Sequence, residues 1–209
     1  MSMQSSTLRA TDLSARAKIR ESALALFARD GFSVSIREIA RDADVSPGLV
    51  VHHFGTKDDL RRAVDDAVLS TFEDHFASIP PHLTAQALSS AMADALAQII
   101  GADANIRGYL RRCLLEVTPA SVAVFDRLVE ATRRGLDRLD VTGGLRRDTD
   151  ERWRPFQVLF VVLGPLLLEP VLQRHFVTPI FDAEEVRGRT AANLDFISRG
   201  LFARDADAG

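Results

Sequence analysis

Ser35, Ser46 and Thr56 begin three helices within twenty-two residues, and that spacing constrains the chain more than any other feature of it. Each is a hydroxyl residue able to accept a hydrogen bond from the free N–H groups that open a helix. Glu38 stands three residues after Ser35, and Asp59 three after Thr56, the offset at which a carboxylate reaches back to the cap. Pro47 directly follows Ser46, at the position where a missing N–H costs nothing. Helices that start so close together are short and must bury themselves against one another. Strand-like alternation is scarce elsewhere and helical periodicity dominates, so the predicted fold class is all-α.

The helix before this cluster is predicted over residues 15–30. Ile19, Ala23, Leu26 and Phe27 share one face, and Gly31 ends it as a left-handed C-cap. Ile36, Ile39, Ala40 and Ala43 give the second helix its inner side. The second and third helices, joined by a turn at Asp44-Val45, have the form of a helix-turn-helix. At ~100° per residue, Pro47, Val50 and Phe54 fall on one side of the third helix, with Val51 at its edge. Gly48, Leu49, His52 and His53 fall on the other. Ser46 and Gly48 let the front of that helix approach a partner closely, its N–H groups favour a phosphate, and Leu49 suits a thymine methyl. A fourth helix, opened by Thr56, runs to about Phe76 and stops at Ile79-Pro80-Pro81. Long amphipathic helices are predicted over 84–100, 105–117, 119–139, 150–174 and 182–202, with loops over 141–148 and 177–181.

The formal net charge of −3 carries no global basic signal, so any contact with nucleic acid must be local. Cys113 is the single cysteine, which excludes an intrachain disulfide and a thiolate metal cluster. Adjacent histidines project about 100° apart, and no Cys or further His lies at helical spacing from His52 or His53, so a metal is not expected. The chain has no Gly-rich phosphate loop, nucleophile elbow or His-Glu-x-x-His motif. Asp58-Asp59 and Asp65-Asp66 read as solvated helix faces. No cofactor and no enzymatic activity are expected. The polar N-terminus lacks a signal-peptide core, and the longest apolar run, residues 158–168, falls short of the ~20 needed to span a bilayer. A cytoplasmic protein with no membrane partner is expected, disordered over 1–13 and 204–209.

Residues 15–62 resemble the DNA-binding domain of the TetR family of bacterial transcriptional regulators. The resemblance is carried by ALALFARDGF, SIREIARDADVS and VSPGLVVHHFGTKDDL, where His53, Phe54, Thr56, Lys57 and Leu60 match the family pattern. Two positions depart from it. Asp44 stands where the family usually has glycine, and Val51 where it usually has a tyrosine, often a phosphate contact. The resemblance implies a helix-turn-helix domain over 14–56 and a larger helical ligand-binding and dimerisation domain over 57–203. It implies a ligand-responsive repressor that binds palindromic double-stranded operator DNA as a homodimer. By the same resemblance Arg37 reaches a base edge, while Ser35, His53 and Lys57 sit on phosphates, with Ser46 and Thr56 beside them. Pro47, Gly48, Leu49 and His52 line the groove. A constitutive DNA-binding protein without effector, and a helical protein-interaction module, remain alternatives.

The segment WRPFQVLFVVLGPLLLEPVLQRHF is apolar nearly all round, so it must be covered on more than one side. Pairing it with the last helix predicts a four-helix dimer interface of the kind the family commonly builds. Val161, Pro165, Leu168 and Leu172 would lie on it, with Phe196, Gly200 and Leu201. An apolar pocket would draw on Phe72, Phe76, Leu96, Ile99, Tyr109, Cys113, Trp153, Phe156 and Phe160, each of which also reads as ordinary core. Few ionisable groups lie on those faces, so the effector expected is a small apolar molecule. The fourth helix is expected to be the only continuous element that runs from the DNA reader to the pocket.

Overall fold

The computed structural model describes residues 2–80, 83, 85–140 and 150–201, and among these every element is helical. The chain divides into two packed units, one of residues 1–71 with 105–113, the other of residues 72–104 with 114–209. The chain therefore passes from one unit to the other three times.

The first unit holds α1 (Ser2–Asp30), α2 (Ile36–Asp42), α3 (Pro47–Phe54), most of α4 (Lys57–Ala77) and most of α6 (Ala104–Leu115). Its core is the apolar seam read from the sequence: Ile19, Ala23, Phe27, Ile39 and Ala40 are buried, with Val50, Leu60 and Val64 closing over them. Each large apolar side chain buried so completely contributes roughly 1.5–3 kcal/mol of transfer free energy. Two positions differ from the expected seam. Ile36 is only half-buried and Pro47 is exposed, because α3 has only two turns and Val50 and Phe54 suffice as its inward pair. α1 also begins earlier than expected, at Ser2 rather than near Ala15. No Pro or Gly interrupts residues 2–14 to stop the backbone ladder.

In the second unit α5 (Ala85–Leu96) runs into a π-helical turn, Ala97–Gly101, and both lie against α9 (Ala183–Leu201). α7 (Pro119–Asp140) packs on α8 (Arg154–Leu172), and α8 on α9. Ala93, Leu96, Ile99 and Ile100 meet Ile180, Phe181 and Val186 in its buried set. The connection between α8 and α9 is tied by Gln173, whose side chain donates to the Thr178 carbonyl at 3.0 Å and accepts from the Ile180 N–H at 2.9 Å. Arg187 on α9 bonds Asp94 on α5 at 2.8 Å. The loop expected over 141–148 and the tail over 204–209 lie outside the described residues.

α8 continues through Pro165 and Pro170 into a 3-10 turn, Gln173–His175. The resulting stretch, residues 154–175, is long and apolar enough to cross a membrane by length and composition, which the shorter run at 158–168 had not suggested. The difference arises because helix continuity adds residues on both sides of that run.

Candidate nucleic-acid interface

α2 opens with a complete capping box. Ser35 Oγ accepts from the Glu38 N–H at 3.3 Å, and Glu38 Oε2 accepts from the Ser35 N–H at 2.8 Å. The bonds from the Ser35 N–H and hydroxyl hold the Glu38 carboxyl below its ordinary range. At the other end of α2, Asp44 takes φ 53°, the left-handed conformation that glycine usually supplies in such a turn. The Val45 N–H then returns to the Ala40 carbonyl at 2.9 Å, which satisfies a carbonyl the helix end would leave open. This tight reversal places Ser46 at the start of α3, where its Oγ accepts from the Leu49 N–H at 3.1 Å.

The outward side of α3 follows the predicted periodicity in part. Ser46, Gly48 and His52 are exposed and Leu49 is half-buried, while Val50 and Phe54 face the core. Pro47 joins the exposed set. His53 is half-buried, edge-on to Phe54 with ring centroids 6.3 Å apart, and at 5.5 Å from His52. Val51, where a tyrosine was the family expectation, is exposed and offers no hydrogen-bonding group. Arg37, in the first turn of α2, projects into solvent, and Lys57 is half-buried at the start of α4. Among the described residues no group of three or more His, Cys, Asp or Glu side chains could hold a metal.

The three cap hydroxyls are not equivalent. Ser35 donates its hydroxyl hydrogen to Glu38 Oε2 at 2.7 Å, and Thr56 donates its own to Asp59 Oδ2 at 2.5 Å. Both would have to release a carboxylate before donating to a phosphate. The Ser46 hydroxyl only accepts among the described residues, so its O–H is the one available to an incoming anion. Thr56 and the paired Arg62 hold the Asp59 carboxyl down, to about 2, chiefly through the Thr56 hydroxyl.

Arg16 escaped the sequence reading. Its guanidinium lies 4.9 Å from the centroid of Phe54, so α1 places a cation beside the C-terminal end of α3. No periodicity links residue 16 to residue 54; only folding brings them together.

The residues proposed for an effector pocket are divided between the two units. Tyr109 and Cys113 belong to the first unit and are fully buried there, Tyr109 donating its O–H to Asp65 Oδ1 at 2.5 Å. Burial and the adjacent Asp65 carboxylate push the Tyr109 phenol up from its ordinary value. In the second unit Phe72 pairs with Phe76 at 6.5 Å, and Phe156 lies between Phe125 at 6.4 Å and Trp153 at 5.9 Å. Leu96 and Ile99 are buried on the α5 side. Phe160 is 58 % exposed and shares a helical stripe with Leu168 and Val171, so its place is on the outer face of α8. Of the dimer set, Leu168 and Phe196 are exposed and Val161, Pro165 and Leu172 half-buried; the side chains of Gly200 and Leu201 lie outside the described residues.

A short capped helix, held behind a tight turn with its polar side outward, defines a helix-turn-helix DNA-binding module on an all-helical chain. The family model for bacterial regulatory proteins of the tetR family matches residues 19–64. The HTH-type transcriptional regulatory protein RaaS of Mycobacterium tuberculosis is 54 % identical over 61 residues, which span 29 % of each protein. Thus the matched region is under a third of that relative's length. The fold extends the likeness over nearly the whole chain. SmeT, the repressor of the Stenotrophomonas maltophilia multidrug efflux pump SmeDEF, superposes with a TM-score of 0.70 at 20 % identity, covering 91 % of each chain. TylP, a TetR regulator from Streptomyces fradiae, gives 0.66 at 19 % identity over 93 % of this chain and 89 % of its own. Residues 19–64 thus match the DNA-binding domain of tetR-type regulatory proteins, and the described fold as a whole is that of solved TetR-family structures.

Proposed function

We propose that the chain is a homodimeric repressor that binds a palindromic operator and leaves it when a small apolar effector binds. The observation that carries the DNA half of this reading is the outward side of α3: Ser46, Pro47, Gly48 and His52 exposed in a row behind a cap whose hydroxyl is available to a phosphate. Arg37 supplies the bidentate donor suited to guanine. Arg16, His53 and Lys57 supply positive or hydrogen-bonding groups along the flanks, and Ser35 and Thr56 contribute through their helix ends. A single reader of this size covers only a few base pairs, so useful specificity needs two half-sites and a symmetric pair of chains.

The dimer reading is supported by α8 and α9. Phe160, Leu168 and Val171 on α8, and Phe196 on α9, each expose about half or more of their area. Apolar stripes of this size on packed helices mark an association surface. Glu169 and Arg174 lie within the same stretch of α8 and its 3-10 turn, and α7 and α9 pack on the helix, which favours a protein partner over lipid. The effector reading has the aromatic pairs Phe72–Phe76 and Trp153–Phe156 and the buried Leu96 and Ile99 as its candidate lining. SmeT is a repressor, and the same role is proposed here on the strength of shared fold. A protein that acts on chromosomal DNA works in the cytoplasm.

Selection of bound duplexes from a random pool tests this reading. The expected product is an inverted repeat with half-site centres about 34–36 Å apart or a multiple of this. Recovery of no common sequence, or of an asymmetric single site, would overturn it.

A further inference from the structure

We propose that Arg112 is a positioning residue for base reading: from α6 it fixes the exit of α1 and so the presentation of α2 and Arg37. The inference rests on the DNA-binding reading above.

Residues 105–113 of α6 pack in the first unit, although the chain reaches them only after leaving that unit at residue 72. Arg112 uses its fork on the end of α1. Its Nε donates to the Ala28 carbonyl at 2.9 Å and its Nη2 to the Arg29 carbonyl at 2.5 Å. These are carbonyls of the last turn, which have no partner within the helix. A guanidinium there satisfies two of them and complements the negative end of the helix dipole. Gly31 follows at φ 88°, and a Cβ on it would stand 3.1 Å from Arg112 Nη1. One turn back on α6, a Cβ on Gly108 would stand 3.1 Å from the Ala28 Cβ and 3.3 Å from its carbonyl oxygen. The two helices meet there at backbone distance.

The turn that leaves α1 is held from the same side. Phe32 meets Tyr109 edge-on at 5.5 Å and Phe27 at 5.5 Å, and the Arg61 guanidinium lies 3.5 Å from its ring centroid. Nε and Nη2 of Arg61 are buried without a hydrogen-bond acceptor, so the ring face is what holds that cation. Tyr109 is in turn anchored to Asp65 of α4. Only Ser33 and Val34 separate this clamp from Ser35, the cap of α2, and Arg37 lies two residues further on. The angle at which Arg37 is offered is thereby set through a residue far downstream in sequence.

The test uses the full-length chain with Arg112→Ala, Arg112→Lys and Gly108→Ala. Each protein is titrated against the selected operator and against a scrambled duplex of equal length, with the active fraction fixed by stoichiometric binding. Arg112→Ala should lose about tenfold on the operator and stay within about twofold on the scrambled duplex, and it should add little to the loss already caused by Arg37→Ala. Arg112→Lys, which keeps the charge but not the fork, should fall between. Gly108→Ala keeps the guanidinium and should lose specificity in the same sense, so it carries the test if Arg112→Ala does not fold. A proportional loss on both duplexes that follows the active fraction, or full additivity with Arg37→Ala, would reduce Arg112 to a packing residue and overturn the proposal. A wild-type chain that does not distinguish the two duplexes would overturn the DNA reading itself, and this inference with it.

Discussion

At the scale of single residues, the helix starts behave as small electrostatic devices. Asp59 is held at about 2 against an ordinary value of 3.8, first by the Thr56 hydroxyl and then by Arg62 and the Thr56 N–H. Its folded value lies below its unfolded one. The contribution to stability is therefore fully present above about 3.8 and is lost as pH falls through about 2. Glu38 works in the same direction, led by the Ser35 N–H. Thr56→Val should raise the Asp59 value part of the way to 3.8, because the backbone bond and Arg62 remain. Carboxyl-carbon NMR titration reads that shift, and an unmoved Asp59 would show that the cap hydroxyl is not its main support. Two cations near these caps have different expected roles. Lys57→Ala should weaken binding to all duplexes alike and lower the salt slope by about one. Arg37→Ala should relax choice at one base position at a cost of roughly 1–3 kcal/mol. Titrations over a salt series on operator and point-variant duplexes separate them, and identical behaviour of the two variants would dissolve the distinction.

At the scale of elements, α3 is too short to be stable alone and depends on two inward residues. Helices of this length gain most of their stability from packing. Val50 is 1 % exposed and Phe54 8 %, and Phe54 also lies under the Arg16 guanidinium. Phe54→Ala should therefore cost about 3–5 kcal/mol and remove operator binding. Chemical denaturation of the full chain should show that loss, with a change near zero refuting the assignment of Phe54 as the seam of α3. α2 depends less on burial and more on its ends, where a full capping box and the left-handed Asp44 close both termini. α6 was expected as a helix over 105–117, but no local signal told which unit it would join. Residues 105–113 of α6 pack in the same unit as the reader helices, although they are distant from them in sequence.

At the scale of the whole molecule, the proposed function requires two chains and two states. Leu168→Arg or Phe196→Arg puts a charge on the exposed apolar stripe without touching the buried side of α8 or α9. Either variant should run as a monomer in light scattering at micromolar concentration, keep its helical content and lose operator binding. A dimer that survives both charges would place the association surface elsewhere. If an effector controls DNA binding, the coupling must be reciprocal. DNA must weaken the effector by the same factor that the effector weakens DNA, typically 5–150-fold. An apolar ligand found by thermal shift and titrated with and without operator measures this factor, and equal affinities would leave a constitutive DNA-binding protein.

What the sequence determined by itself was local. Caps at Ser35, Ser46 and Thr56, a turn tolerant of φ 53° at Asp44, and the alternation of Val50 and Phe54 with Gly48 and His52 all act within one or two helical turns. They are legible because hydrogen-bond offsets and the 3.6-residue period act over short stretches of chain. What tertiary structure decided was every pairing between distant segments. Arg16 reaches Phe54, Arg112 reaches the end of α1, Tyr109 reaches Asp65, and Phe160 turns outward on α8. An aromatic on an amphipathic helix carries the same periodic signal whether it faces a core, a ligand or a twin. Only the packing of other helices around it selects among the three.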